Sequence, residues 1–397
     1  MKILHVIGTL NRAGSETWLT QILHNIDRQK YSMHYLVHTA EPGDYDEEIK
    51  ALGSRVIRCL PRLKDGNPLQ YALNFRRILR EYGPYDCVHS HIHHTSGFIL
   101  MLAAIMRIPV RIAHSHCDTR TLDRKSPFLI RMYYATMNAL IRRFATTGIA
   151  CSESAAPSLF SDSWASDPRW RVQTYGIDLH PFTEVVNSAS LRAELGISPD
   201  SFVIGHVGRI ENQKNHRFIV DIAERFCRME PRAVFLLVGA GSLKSDIENR
   251  VRNLGLAEHF IFAGVRRDVP RLMKGAMDCF LFPSLFEGLG LVLLEAQAAG
   301  LICVISDRLP DEASVVTKLV RRISLEEPAE VWASELLRIR SRPRQPRMDT
   351  LSKLQDNSIE ASVSRLTHIY DSVSRIGKGA TGNQATVAAT ASLKVRQ

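Results

Sequence analysis

The chain has 397 residues, of which 45% are hydrophobic and 23% charged, so it is long enough for two cores and excludes a largely disordered protein. Lys and Arg number 51 against 41 Asp and Glu, a formal net charge of +10. This balance favours polyanionic neighbours such as phosphates, nucleic acid or an anionic membrane face, although a basic surface without a single partner fits it equally well.

Cysteine usage and hydropathy argue against a disulfide- or zinc-stabilised protein and against a membrane-spanning one. The 7 cysteines are scattered, odd in number and contain no C-x-x-C pair, which argues against a disulfide framework or a zinc knuckle and favours a reducing cytosol. The longest uncharged apolar run, Phe98–Met106, is well short of the ~20 residues that a membrane-spanning helix needs. We therefore expect a cytoplasmic protein that crosses no bilayer, with contact to one membrane surface left open.

Short apolar runs alternate with helical patterns up to about residue 176. Helices are predicted from about Glu16 to Ile26 and from Asp46 to Leu52. The predicted strands are Ile3–Ile7, Leu36–His38, Arg55–Arg58, Cys87–His89, Val110–Ala113 and Gly148–Cys151. Apolar strands that alternate with helices predict a parallel sheet covered on both faces.

The pattern pauses in a polar stretch that contains proline and serine, and then it repeats. We place the interdomain linker at 181–199. The second set of strands is predicted at Phe202–Val207, Val234–Val238, Ile261–Phe262, Cys279–Phe282 and Cys303–Ile305, with helices at Asn215–Met229 and from about Gly290. Two doubly wound α/β domains in series are therefore expected, at 1–180 and 200–355.

The end of the chain holds one helical pattern and a tail. Asn357–Ile376 has apolar residues at helical spacings, and we assign this helix to 356–376. From Gly377 onward the residues are mostly small and polar, so we expect 377–397 to be disordered.

Loops that follow predicted strands carry candidate ligand-binding residues, because ligands of open α/β sheets bind at the carboxyl ends of the strands. The loop Gly8–Glu16 contains Gly14 beside a helix N-terminus that can meet an anion. A second loop holds Gly208, Arg209 and Lys214, and its two cations could neutralise a diphosphate. Taken alone, the first loop is equally compatible with a plain tight turn, and the second is better explained by surface cations.

The third loop and the helix after it are the most specific feature. Glu287 follows the strand Cys279–Phe282, and Glu295 lies eight positions later, about a turn into a helix. Gly288 and Gly290 free the backbone where that helix begins, which suits a phosphate. The two carboxylates could accept hydroxyl hydrogen bonds from two sugar rings on either side of a diphosphate. Helix capping is the alternative for Glu287, whereas burial of Glu295 without a partner would be costly.

In combination these residues resemble glycosyltransferase family 4, the retaining enzymes of GT-B fold, over roughly residues 1–375. The motifs that carry the resemblance are Glu287 and Glu295 with seven residues between them, Gly208-Arg209 with Lys214, Gly14-Ser-Glu16, and Gly176-Ile-Asp178. Runs such as Val88–His91, Arg111–His116 and Glu295–Gly300 are similar to those of bacterial capsular and exopolysaccharide transferases. The resemblance implies two Rossmann-like domains that face each other across a cleft, with a C-terminal helix crossing back to the N-terminal domain.

The resemblance also implies a role for each matching residue. Glu287 would hold hydroxyls of the donor sugar, Glu295 the ribose, and Arg209 and Lys214 the diphosphate and the leaving group. Further residues implied at the donor site are Gly14, Gly208, Arg266, Gly288, Leu289, Gly290 and Leu291. A family histidine beside the donor sugar corresponds to His114 or His116, with His116 slightly favoured.

The implied activity is transfer of a sugar from a nucleotide sugar, most simply a UDP-sugar, to a glycan or lipid-linked acceptor with retention of configuration. No metal is expected, because Asp44 and Asp46 are typical of helix-start acids and the histidines near His91 match no known ligand set. A GT-B-shaped sugar-nucleotide epimerase and a non-catalytic nucleotide-sugar-binding subunit remain as alternatives. A nucleic-acid partner is not expected, because the chain contains no base-reading motif.

The stretch Arg120–Arg143 allows two interpretations. It interleaves cations such as Arg124 and Arg131 with aromatic residues such as Phe128 and Tyr133, and we expect a single helix. A helix with one face buried in its own domain is modestly favoured over docking to an anionic membrane that carries a lipid-linked acceptor.

Overall fold

The computed structural model describes residues 1–61, 66–340 and 347–374, with side chains of the last range from residue 350. The chain forms two compact units. Of the described residues, the first comprises those of Met1–Thr174 together with 360–374, and the second comprises those of Tyr175–Ile359.

The first unit is built on a seven-stranded parallel sheet in the order β3-β2-β1-β4-β5-β6-β7. Its strands are β1 (Lys2–Ile7), β2 (Ser32–Val37), β3 (Val56–Arg58), β4 (Cys87–Ser90), β5 (Val110–Ser115), β6 (Thr147–Ala150) and β7 (Trp170–Val172). In β1 the residues Ile3, Leu4 and Val6 are fully buried, because helices cover both faces of the sheet.

Helices connect these strands. They are α1 (Gly14–Asn25), α2 (Asp46–Ala51), α3 (Pro68–Tyr82), α4 (Ser96–Ile105), α5 (Arg120–Lys125), α6 (Phe128–Phe144) and α7 (Ala156–Leu159). Asn67 caps α3 by accepting a hydrogen bond from the Leu69 amide at 2.8 Å, directly before Pro68, whose fixed φ suits a first helical position.

The second unit repeats the plan with a six-stranded parallel sheet in the order β10-β9-β8-β11-β12-β13. Its strands are β8 (Phe202–Val207), β9 (Ala233–Val238), β10 (Phe260–Gly264), β11 (Cys279–Phe282), β12 (Ile302–Ser306) and β13 (Val320–Ile323). Its helices are α8 (Ser188–Glu194), α9 (His216–Met229), α10 (Lys244–Asn253), α11 (Val269–Gly275), α12 (Leu291–Ala298), α13 (Ala329–Arg340) and α14 (Arg347–Lys353). In α9 the side chains of Ile219, Ala223 and Phe226 recur at helical spacing and are fully buried.

A last helix, α15, occupies 359–374 and packs on the first unit. Its buried residues Leu366 and Tyr370 lie one turn apart. The Trp18 indole donates a hydrogen bond to the Ser362 hydroxyl at 2.9 Å, and the Tyr31 hydroxyl donates one to Asp371 at 2.7 Å. The predicted return of a C-terminal helix to the first domain is thereby confirmed.

The expected pair of doubly wound parallel sheets is also confirmed, with two edge strands added. Strands β7 and β13 were not predicted, because neither is an apolar run. All four residues of β13 are partly exposed, and two of them are arginines. Only Trp170 of β7 is buried.

The predicted helix Arg120–Arg143 is wrong as a single element, since α5 ends at Lys125 and α6 begins at Phe128. Proline at 127 has no amide hydrogen and disfavours the helical conformation of the residue before it. Ser126 accordingly has φ −71° and ψ 152°, which is extended backbone.

The segment 181–199 lies within the second unit, and the chain passes between units at 174/175 and 359/360. Part of the segment is helical, because the Asn187 side chain caps α8 by accepting from the Ser190 amide at 3.0 Å. The tail predicted at 377–397 lies outside the described residues. Among the helices that the structure describes, none is long and apolar enough to cross a membrane.

Candidate active site

The second unit brings a lysine and a glutamate into contact at the carboxyl edge of its sheet. Lys214 Nζ lies 2.6 Å from Glu287 Oε1, and the two side chains are 14% and 7% exposed. The ammonium also lies over the ring of Phe282, 4.6 Å from its centroid. Two predicted donor-site residues, 73 positions apart in the sequence, thus form one largely buried ion pair.

The loops that carry this pair are tied to each other. Lys214 follows β8 and Glu287 follows β11, and these strands are neighbours in the sheet. The Leu285 amide donates to the Gln213 carbonyl at 2.8 Å, and the Gln213 side-chain amide donates to the Phe286 carbonyl at 3.0 Å. These bonds hold both loops in one arrangement before any ligand binds.

The loop that carries Lys214 is positioned by a close approach between the backbones of Gly208 and Gly239. Gly239 after β9 has φ +140°, and a Cβ there would overlap the carbonyl oxygen of Gly208. Gly208 itself faces Lys214, whose Cε would lie 3.0 Å from an added Cβ. Glycine at 239 therefore lets the two backbones approach, and glycine at 208 leaves the lysine stem the space that it occupies.

The N-terminus of α12 opens beside Glu287. Gly290 caps the helix in the left-handed conformation, with φ +82°, and an added Cβ on it would lie 3.8 Å from Glu287 Cγ. The backbone from Gly288 to Leu291 enters the first turn here, with Leu289 buried beneath it. Amide groups of a first helical turn lack partners within the helix, so this entrance is suited to bind a phosphate.

Glu295 lies in α12, one turn beyond that entrance. Burial raises the pKa of its carboxyl to about 7, and no described charge or hydrogen bond opposes the increase. The residue is not wholly covered. A carboxylate in such surroundings gains most from a ligand hydroxyl that donates to it.

The two predicted arginines differ in what holds them. Arg209 is exposed, and within the described ranges it forms no ion pair. Arg266 is held in two parallel bonds of 2.7 Å by Asp268, with Glu194 3.5 Å away. The hydrogen bond to Asp268 is the main reason why the pKa of Arg266 is raised. A donor-binding role for Arg266 would require this ion pair to open.

In the first unit the two predicted histidines at the end of β5 have different exposure. His114 is fully buried and meets the edge of the Trp18 ring, with the centroids 5.4 Å apart. His116 is partly exposed and stacks on His114 at 4.3 Å. The geometry therefore favours His116 over His114 as the residue that can meet a ligand.

Beneath His116 lies a column of neutral histidines whose mutual contacts the sequence did not predict. His5 Nδ1 is 3.0 Å from His91 Nε2, and His91 Nδ1 is 3.0 Å from His116 Nε2. His89 joins His114 at 3.1 Å and the Tyr370 hydroxyl at 2.9 Å. Burial lowers the pKa of all five histidines.

Nitrogen atoms of two sets, His5-His89-His91 and His91-His114-His116, lie within 4.8 Å of one another, a spacing compatible with a metal ion. One hydrogen bond in each set, together with stacking of the third ring on its neighbour, accounts for this closeness. Asp44 and Asp46 are engaged by protein groups. Asp44 accepts a hydrogen bond from the Arg12 amide at 2.9 Å, and Asp46, the first residue of α2, lies 2.8 Å from the Arg58 guanidinium.

Gly14 is the first residue of α1. The residue before it, Ala13, caps the helix with extended backbone and without a side-chain hydrogen bond. The predicted helix start is thus found two residues earlier than Glu16, and Gly14 stands directly at the N-terminus that could meet an anion.

Two family models cover most of the chain. The model of the 4-like domain of glycosyl transferases matches residues 13–172, and that of group 1 glycosyl transferases matches residues 187–357. The chain is 34% identical over 376 residues to EpsF of Bacillus subtilis strain 168, a protein named as a glycosyltransferase, with 93% of this chain and 96% of EpsF covered. It is 27% identical to the Escherichia coli UDP-Gal:alpha-D-GlcNAc-diphosphoundecaprenol alpha-1,3-galactosyltransferase, with 77% and 79% covered.

Solved structures share the fold. HepE of Anabaena, crystallised with UDP and glucose, has a TM-score of 0.77 at 20% identity, covering 94% of this chain and 100% of HepE. WaaG, a glycosyltransferase involved in lipopolysaccharide biosynthesis, has a TM-score of 0.70 at 18% identity, covering 92% and 99%.

Proposed function

Because the chain belongs to the family-4-like glycosyltransferases of GT-B fold, we propose that it transfers a sugar from a UDP-linked donor to a glycan or lipid-linked acceptor with retention of configuration. That it is a glycosyltransferase follows from the family itself. A role in polysaccharide biosynthesis is supported by a relative from Staphylococcus aureus that is named as a capsular polysaccharide biosynthesis glycosyltransferase. The observation that best supports the donor assignment is the buried contact between Lys214 and Glu287 beside the entrance of α12.

In the proposed complex the diphosphate lies at the N-terminus of α12. There Lys214 would turn from Glu287 to a phosphate oxygen, and Arg209 would add an exposed guanidinium that forms no ion pair among the described residues. The carboxylate of Glu287, released from the lysine, then accepts hydrogen bonds from hydroxyls of the donor sugar. Glu295 accepts those of the ribose.

The chemistry proposed at this site is positioning together with leaving-group stabilisation. The acceptor hydroxyl oxygen attacks the anomeric carbon from the face that the nucleotide leaves, and the bond from that carbon to the phosphate oxygen breaks. UDP takes the electron pair of that bond, and its phosphate receives the hydroxyl proton. Lys214 and Arg209 would stabilise the negative charge that develops on the diphosphate.

The acceptor class is proposed from a relative. The Escherichia coli galactosyltransferase acts on a diphosphoundecaprenol-linked sugar, as its name states. A lipid-linked acceptor would place this enzyme, as a peripheral protein, at the cytoplasmic face of a membrane. We also propose that the reaction needs no metal, since two cations of the chain itself can neutralise the diphosphate; activity should therefore survive chelators.

The family membership favours the transferase over the epimerase and the non-catalytic subunit that the sequence left open. An epimerase would isomerise the donor without releasing nucleotide, and a binding subunit would not consume it. Both outcomes are distinguishable in one assay.

The test is nucleotide release from a panel of UDP-, GDP- and ADP-sugars. We expect slow hydrolysis of one UDP-sugar, reduced about 10²–10³-fold in Glu287→Ala and in Lys214→Ala. Glu248→Ala, which removes a partly exposed carboxylate from α10, is the matched control and should keep the wild-type rate. Release that survives in both site variants, or isomerised donor without release, would reject the proposal.

A further inference from the structure

The first turns of α6 expose an apolar face. Phe128 and Leu129 are 69% and 78% exposed, and Met132 and Tyr133, one turn later, are 53% and 38% exposed. Residues four apart in a helix share a side, so these four form one continuous apolar surface. Monomeric soluble proteins rarely expose contiguous apolar patches of more than a few hundred Å².

The rest of α6 explains why these residues do not pack inward. Met137 and Ile141 are buried, and the ring of Tyr134 stacks on His94 at 4.2 Å. Helix α4 approaches so closely that a Cβ on Gly97 would overlap the Met137 carbonyl oxygen. The opposite side of the helix is therefore fixed against its own unit, and the apolar face points away from it.

Cations surround this face. Arg124 and Lys125 end α5, and Arg131 interrupts the apolar residues of α6. All three are exposed, and in the part of the chain that the structure describes none of them forms an ion pair. The nearby acids are already engaged, because Asp118 is paired with Arg120 and Asp123 bonds His94.

We propose that the face formed by Arg124, Lys125, Phe128, Leu129, Arg131, Met132 and Tyr133 docks onto an anionic lipid bilayer. Apolar and aromatic side chains that project beside unpaired cations match the interface of a membrane, where the rings enter the headgroup region and the cations meet lipid phosphates. A protein partner or a second copy of the chain would have to supply both a hydrophobic cavity and acidic groups. The idea that the enzyme meets a lipid-linked acceptor at this surface rests on the proposed function. Binding of the surface to a bilayer does not depend on it.

The experiment is flotation of the full chain with vesicles of phosphatidylcholine alone or mixed with phosphatidylglycerol. We expect binding to the mixed vesicles, weakened by high salt. The triple variant Arg124→Gln, Lys125→Gln, Arg131→Gln should lower the partition coefficient about a hundredfold. The pair Phe128→Ser, Leu129→Ser should lower it about tenfold or more.

Helix α3 supplies a matched control. Its Leu69 and Leu73 are 66% and 56% exposed, one turn apart, with arginines near them, but the neighbouring aromatic residues Tyr71 and Phe75 are buried, so no ring projects from this face. Leu69→Ser with Leu73→Ser should float like the wild type. Equal loss in this control, or binding that is the same on neutral vesicles, would overturn the proposal.

Two further readouts separate the remaining outcomes. If the wild type is a dimer and the variants are monomers by light scattering, the face joins two copies and the proposal fails. Hydrolysis of the donor in vesicle-free solution should be unchanged in all variants, which also shows that they fold. A wild type that floats but hydrolyses no donor would reject the proposed function and leave the docking surface standing.

Discussion

At the scale of single residues, the sequence predicted most of the donor site but not its contacts. Glu287, Glu295, Arg209 and Lys214 could be found because each follows an apolar strand. The Lys214–Glu287 contact could not be predicted, because the two residues are 73 positions apart in the sequence. They meet only because β8 and β11 are neighbours in the folded sheet. The histidine column was missed for a similar reason: His5 gives no sign in the sequence that it meets His91.

The buried ion pair makes a prediction about stability. Removing one partner leaves an uncompensated charge, so Lys214→Met should lower the free energy of unfolding by about 3 kcal/mol, and Glu287→Leu by a similar amount. The double variant should regain most of the loss, because both charges are then absent. Urea unfolding of the four proteins measures this coupling; strictly additive losses would contradict a direct interaction.

Glu295 makes a prediction about pH. Burial raises the pKa of its carboxyl from 4.5 to about 7. Between these two values the folded chain holds a proton on Glu295 that the unfolded chain has lost. The stability that this group contributes is therefore complete below about pH 4.5 and is lost as the pH rises through 7. Ribose hydroxyls would favour the ionised carboxylate, so UDP affinity should increase with pH up to about 7 and then level off.

Calorimetric titration with UDP tests this dependence. We choose a range of about pH 6 to 8, because it brackets the pKa of about 7. Glu295→Gln should remove the contribution of this group, whereas Glu248→Gln should keep the wild-type profile. A profile that is the same in the wild type and Glu295→Gln would rule out Glu295 as the group responsible.

At the scale of elements, apolar runs and turn residues predicted the interior of both sheets and one edge strand of each, but not the other edge strands, β7 and β13. Strands β8 and β11 were predicted with the bounds that the structure has, because they are central and all but the last residue of β8 is buried. Edge strands such as β13 lack that signal, since their exposed side chains are free to be charged. The break between α5 and α6 could have been predicted from Pro127, whose effect on Ser126 is local.

The glycine after β9 carries a prediction about the loops of the site. Gly239→Ala forces a positive φ on a residue with a Cβ and pushes the Gly208 carbonyl away, so the free energy of unfolding should fall by about 3 kcal/mol. UDP affinity should fall as well, because Arg209 follows the displaced carbonyl. Gly8→Ala is the matched control for stability, as its Cβ would meet no atom within 4 Å. Equal thermal stability of both variants would contradict the close approach.

At the scale of the whole molecule, the return of α15 makes the first unit depend on the end of the chain. Tyr370 is fully buried, and its hydroxyl lies 2.9 Å from His89 in the histidine column. The helical spacing of residues 357–376 predicted this helix, and the family resemblance predicted where it packs. The partner residues on the first unit, Trp18 and Tyr31, could not be inferred, because they are more than 300 positions away.

Tyr370→Ala should therefore destabilise the first unit by about 3–5 kcal/mol, through the cavity and the lost hydrogen bond. UDP affinity should change by less than about twofold at a temperature where the variant is folded, since Arg209, Lys214 and Glu295, which carry the proposed nucleotide contacts, belong to the second unit. His368→Ala, an exposed change in the same helix, is the control. Unfolding curves and titrations of both variants test the separation, and a parallel loss of UDP affinity would argue against it.

The most direct test of the donor site is a crystal structure of the chain with UDP. The account predicts the diphosphate at the N-terminus of α12 within reach of Arg209 and Lys214, and the ribose hydroxyls within hydrogen-bond distance of Glu295. Nucleotide bound elsewhere, or a ribose that does not contact Glu295, would contradict it.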